Sequence, residues 1–201
     1  RDRYQESKET FADAYFLDPL SPRMCRDRAG PHRVDGRHEH AISIYQECLR
    51  RHPDDWLTYL RLGRTYSNQG HEQAVVTLET ALALNPKSIR ARASLGHAYA
   101  VAGREAEARR LLDGVYAEAD NGYVWPLAPA MIHAGLGETD EALEWLERAR
   151  SQRITQLVWL RTNYPELRSL ADDPGYLSIV GWAHRTQTPH DALRAAGFGE
   201  H

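Results

Sequence analysis

Residues 56–86 read WLTYLRLGRTYSNQGHEQAVVTLETALALNP, and this stretch decides the fold. Apolar and small residues recur at helical spacing in Tyr59, Leu62, Gly63 and Tyr66, and again in Ala74, Leu78 and Ala81. Gly70 separates the two runs, and Asn85-Pro86 closes the second because proline cannot continue the hydrogen-bond ladder of a helix. The stretch therefore predicts two helices joined by a short turn. Gly63 and Ala74 stand where the two backbones must approach, so a bulky side chain at either place would push the pair apart.

The same markers recur along the chain. Gly36, Gly70, Gly103 and Gly137 are separated by 34, 33 and 34 residues, and Ala41, Ala74, Ala108 and Ala142 follow them at nearly constant distance. Pro19, Pro53 and Pro86 form a third series, with Asp120 where the next proline would fall. A period of this length is the mark of stacked helical hairpins. The predicted units are 22–53, 54–86, 87–120 and 121–151, preceded by a trailing helix over 5–18 that includes Phe11 and Ala14. A capping segment over 152–185 completes one repeat domain spanning 1–185, and 186–201 is read as a mobile tail.

Tyr59-x2-Leu62-Gly63-x2-Tyr66, Ala74-x3-Leu78, Ala81 and Pro86, with Leu95, Gly96, Tyr99, Ala108 and Leu112 in the next unit, resemble the tetratricopeptide repeat over about residues 5–151. That resemblance implies an all-α fold, a right-handed superhelical solenoid of antiparallel helix pairs, with a concave groove that holds a segment of a partner protein. After Arg150 the period fails. Tyr164-Pro165-Glu166-Leu167 and Asp173-Pro174-Gly175-Tyr176-Leu177 are similar to the segment that closes such arrays in bacterial regulatory and signalling proteins. Asp173 is placed to cap a helix starting at Pro174, and Trp159, Leu160, Leu167, Leu170 and Leu177 are expected to cover the last repeat.

Two departures from the pattern stand out. Gly30-Pro31 falls inside the first helix of the first unit, which is expected to be kinked, shortened or unwound there. Pro126 and Pro129 are tolerable only if the last unit's first helix begins near them.

With 42% hydrophobic and 26% charged residues, the chain of 201 is neither disordered nor collagen-like, and a net charge of -3 does not favour nucleic acid. Tyr123 to Gly137, the least polar stretch, is interrupted by Pro126, Pro129 and Gly135, so no membrane span is expected. No secretory signal opens the sequence, and upstream residues are expected to have been cut or omitted. Cys25 and Cys48 are too few for a disulfide scaffold and match no metal spacing; they read as core cysteines in a reducing cytoplasm.

No catalytic template is met. Lys87-Ser88 lacks the glycines of a phosphate loop, and no Gly-x-Ser-x-Gly elbow exists, so an enzyme is not expected. His38-Glu39-His40, beside His32, Asp35 and His52, is the one cluster with metal-site chemistry, but alternate residues at a helix start point to different sides. Solvated histidines are the simpler reading, with no cofactor and no metal; a metal-dependent enzyme centred on this unit is the alternative.

By the resemblance, groove positions fall at Arg23, Arg26 and Arg33 in the first unit and at Leu57, Leu60, Arg64 and Asn68 in the second. They continue at Arg90 and His97 in the third and at Leu127 and Met131 in the fourth. This lining is cationic at one end and apolar at the other, since 23–37 holds five arginines against Asp27 and Asp35. A partner protein or peptide that is acidic at one end and apolar at the other would fit it. The competing occupants are the chain's own tail and a second copy in a homodimer. The resulting expectation is a non-catalytic interaction scaffold within a larger cytoplasmic bacterial regulatory or signalling protein.

Overall fold

Proline geometry sets the amino-terminal helices. In the computed structural model, which describes residues 18, 21–67, 69, 72–119 and 124–186, the first predicted helix is divided into α1 (Pro22–Asp27) and α2 (Ala29–Val34). Pro31 offers no N–H to the carbonyl of Asp27 and its ring crowds that carbonyl, so α1 ends there. The rest of the trailing helix over 5–18, Asn68, Gly70, Asp120 and the tail from 187 onward lie outside the described residues. The chain forms two compact units, 1–91 and 92–201.

The first unit continues with α3 (His38–Arg51), α4 (Trp56–Ser67), α5 (Gln73–Leu84) and the opening turn of α6 (Ile89–Val101). Ser21 Oγ accepts a hydrogen bond from the Met24 amide and caps α1, and Gly36, at φ +75°, makes the left-handed corner into α3. The packing order is α1 and α2 against α3, α3 against α4, and α4 against α5. Cys25, Ala29, Ala41, Ile42, Ile44, Tyr45, Cys48 and Leu62 form the core of the amino-terminal helices. The cysteines are core residues as expected, but they are not free thiols: Cys25 and Cys48 are joined in a disulfide, with Cα atoms 5.7 Å apart. Gly63 is where the pair α4–α5 closes up, since a Cβ there would lie 2.6 Å from Leu78 Cγ.

The second unit holds the remainder of α6, then α7 (Glu105–Ala119), α8 (Leu127–Leu136) and α9 (Thr139–Ser151). Two short 3-10 segments (Thr155–Trp159 and Pro165–Leu170) flank α10 (Leu160–Asn163), and α11 (Pro174–Thr186) follows. Gly96 on α6 marks a second close approach, here to α8, since a Cβ would stand 2.8 Å from Ile132. Pro126 precedes α8 and Pro129 lies in its first turn, where backbone N–H groups have no carbonyl to meet. Asp173 Oδ1 accepts from the amides of Gly175 and Tyr176 at 2.7 and 3.2 Å, the cap the sequence implies.

The second 3-10 segment packs on α8, and α11 packs on α9. Leu160, Leu167 and Leu170 are buried as expected, together with Leu157, Tyr164 and Ile179. Trp159 and Leu177 are not part of this cover, being 56% and 46% exposed. The reason is register. Leu157 and Leu160 take the inward places three residues apart, and Tyr176, Ile179, Val180 and Ala183 form the inward stripe of α11, which leaves Trp159 and Leu177 off it. No helix among the described residues is long and apolar enough to cross a membrane.

Gly63→Val is expected to cost about 1–3 kcal/mol, because the new methyl groups meet Leu78. Gly114→Ala, in α7 with nothing near the new carbon, is expected to stabilise by about 0.5–1 kcal/mol. Urea unfolding of both variants against the parent measures the two signs.

Candidate functional site

Arginine carries a fixed charge and a rigid fork of donors, so its role depends on which carboxylates face it. In the first unit those carboxylates come largely from the chain itself. Arg26 is only 6% exposed, and its Nη1 donates to Asp55 Oδ2 at 2.7 Å. Asp55, the residue before α4, also accepts from the Thr58 hydroxyl, so one carboxylate starts α4 and holds α1 to it. Arg23 pairs with Asp27 at 3.6 Å, Arg28 with Glu47 at 3.7 Å and Arg37 with Asp35 at 3.0 Å, while Arg61 also approaches Asp27 at 3.5 Å. The positive balance counted over 23–37 is therefore largely neutralised by Glu47 and Asp55 from outside that segment.

The expected lining divides by exposure. In the first unit Arg23 and Arg90 are exposed and Arg33, Leu57 and Arg64 are half-buried, whereas Arg26 and Leu60 are buried. Asn68 lies outside the described residues. In the second unit Leu127 and Met131 are fully buried, and His97 packs against Gly135, within 3.0 Å of where a Cβ would stand. The assignment of Arg26, Leu60, Leu127 and Met131 as open lining is thus revised.

The cause in the second unit is the chain's own carboxyl-terminal segment. Pro165–Leu170 lies against α8, and the Ser94 hydroxyl on α6 donates to Glu166 Oε1 at 2.8 Å, with both residues buried. A signal for this was present in the sequence. Leu127–Leu136 is apolar on every side, and a helix of that kind has no face to leave in water.

A second polar constellation was not foreseen. His133 on α8 is buried, its Nε2 lies 2.8 Å from the Tyr116 hydroxyl on α7, and its Nδ1 lies 2.6 Å from Glu138 Oε2 just before α9. A carboxylate only accepts, so Nδ1 carries the proton and, in the neutral ring, Nε2 accepts from the phenol. Arg109 donates to the other Glu138 oxygen at 2.6 Å. Burial pulls the Glu138 carboxyl up, but hydrogen bonds and charge from Arg109 and His133 outweigh it and hold the group below its ordinary value.

Hydroxyl, imidazole and carboxylate in series have the form of a catalytic relay. Yet burial pushes the Tyr116 phenol above its ordinary pKa, the opposite of an activated nucleophile, and its ring stacks on Trp145 at 5.7 Å. The relay ties three helices together. Its sequence signal was a lone histidine in the least polar stretch, which needs partners when buried.

The amino-terminal histidines converge less than a metal requires. The rings of His32 and His40 meet at 4.1 Å, but among the described residues no three His, Cys, Asp or Glu side chains are grouped to hold an ion.

Residues 71–128 match one family model described as tetratricopeptide repeat, and residues 44–75 match another with the same description. Residues 44–128 are tetratricopeptide repeats. In a crystal structure of the APC/C hetero-tetramer Cut9-Hcn1, one chain is similar to this one at a TM-score of 0.60 and 18% identity. The similarity covers 90% of this chain and 40% of that one, so the chain spans well under half of the protein it resembles. At that identity the likeness shows the fold alone, an all-α array of antiparallel helix pairs of the tetratricopeptide type. A comparison with curated proteins returns no match.

Because Glu138 titrates lower in the folded chain than in the unfolded one, the relay adds stability that is present above the ordinary carboxylate value of 4.5 and is lost as pH falls through the lower folded value. Glu138→Gln should lower the melting temperature at neutral pH and flatten its decline on the acid side. Melting curves of parent and variant across that range check the sign.

Proposed function

We propose that this chain is a non-catalytic protein-interaction scaffold whose first unit receives a partner segment. The observation that carries this reading is the asymmetry of the first helices. In 92–201 their apolar lining is covered by the chain's own carboxyl-terminal segment, whereas in 1–91 Arg23 and Arg90 are exposed and Arg33, Leu57 and Arg64 remain half-buried. A partner bearing carboxylates beside an apolar side chain suits these groups, since a guanidinium offers a fork to a carboxylate and leucine an apolar floor. Tetratricopeptide domains as a class bind proteins, and the similar Cut9-Hcn1 structure is of a hetero-tetramer; both support the scaffold reading.

Membership in a larger bacterial regulatory or signalling protein is part of the same proposal, with which the preponderance of arginine over lysine, as a GC-rich genome gives, is compatible. A cytoplasmic placement is not carried into it, because the pairing of Cys25 with Cys48 removes the cysteine argument on which it rested.

A displayed random-peptide library panned on the full chain tests the proposal. Enriched peptides should carry Asp or Glu next to Leu or an aromatic residue. Arg64→Glu combined with Arg90→Glu should weaken them by roughly tenfold or more, in line with charge-assisted contacts, while Arg148→Glu on α9 should not. No enrichment, or equal loss in both variants, rejects the site. Mass rising with concentration in light scattering would instead identify a second copy as the occupant.

A further inference from the structure

We infer that Cys25–Cys48 is a structural disulfide closed while the chain folds under oxidising conditions, and that the chain works where thiols are not kept reduced. The cysteines lie on α1 and α3 with Cα atoms 5.7 Å apart, inside the span that a disulfide bridges without moving the backbone. They are 0% and 1% exposed, enclosed with Ala29, Ala41, Ile44 and Tyr45. Exchange needs a thiolate to reach a sulfur directly, and none can do so while α1 rests on α3. Closure and reopening therefore both pass through a state in which α1 has left its place. Regulatory disulfides are accessible ones; enclosure is the character of a staple.

The bond sits where other sources of order are weakest. α1 and α2 have 6 residues each, far too few to persist alone, and α2 begins without a side-chain cap. Pro31 breaks the ladder that would have joined them. Cys25 fastens this interrupted segment to α3, a helix of 14 residues. Arg26, the next residue, is thereby held against Asp55, so the covalent bond and the buried ion pair fix α1 on two sides.

The oxidant required is a small-molecule or protein disulfide. One cysteine thiolate attacks it, breaks its S–S bond, expels one thiolate and forms a mixed disulfide. The second cysteine thiolate then attacks the chain's own sulfur in that intermediate, forms Cys25–Cys48 and expels the second thiolate. Two electrons pass from the cysteine pair to the oxidant, which leaves as two thiols carrying the two protons.

Full chain equilibrated with glutathione disulfide, then denatured, treated with iodoacetamide without reductant and weighed intact, tests the inference. No alkyl group should be added, against two after reduction, one for each cysteine of the sequence. Dithiothreitol should reduce the native protein roughly tenfold or more slower than the protein in urea, because the sulfurs are enclosed. The reduced chain should melt lower than the oxidised one, with amide exchange rising first within 22–51. Two alkylations without reductant, or identical melting of the two forms, overturn the inference. Cys25→Ser should melt like the reduced chain; if it fails to fold, the alkylation count and reduction rate on the unaltered chain decide the matter.

Discussion

Close approach of helix backbones is the constraint on which the rest of the structure depends. At Gly63 and Gly96 a single added carbon would intrude on Leu78 and Ile132, so the absence of a side chain there sets how tightly each unit packs. Close packing lets short alanine-rich helices make a dense interior, in which Ala74, Ala81, Ala91, Ala93, Ala108 and Ala142 are all buried. The left-handed corners at Gly36, Gly103 and Gly137 serve the same design by turning the chain back at once.

Against this common packing the two units use their polar groups differently. In the first, arginines on α1 and after it answer carboxylates on α3 and before α4, and the buried Arg26–Asp55 pair is the most enclosed of these. Losing one member would strand a charge in the interior, which makes the pair a condition of the fold more than a free binding group. In the second, Tyr116, His133, Glu138 and Arg109 form one connected chain of hydrogen bonds, and Ser94 with Glu166 forms another under the carboxyl-terminal segment. Both networks fasten helices.

The helices were legible because they are written by local rules. Period, turn glycines, the break caused by Pro31, the start of α8 at Pro126 and the Asp173 cap all follow from residues within a few places of one another. The candidate site was legible only in part, because exposure is decided by segments distant in sequence. Arg26 was read as open since nothing near it announces Asp55, and Leu127 and Met131 since their cover, Pro165–Leu170, comes more than thirty residues later. The disulfide was missed for a related reason. Two cysteines are too few to form a pattern, and only the approach of α1 to α3 brings them together.

That approach joins neighbours in the amino-terminal helices. Within residues 1–201 the two cysteines have one intramolecular pairing available, so oxidation between them yields no scrambled isomers to be sorted by an isomerase. Both cysteines precede residue 52, so during synthesis this bond can close before residues 92–201 have been made.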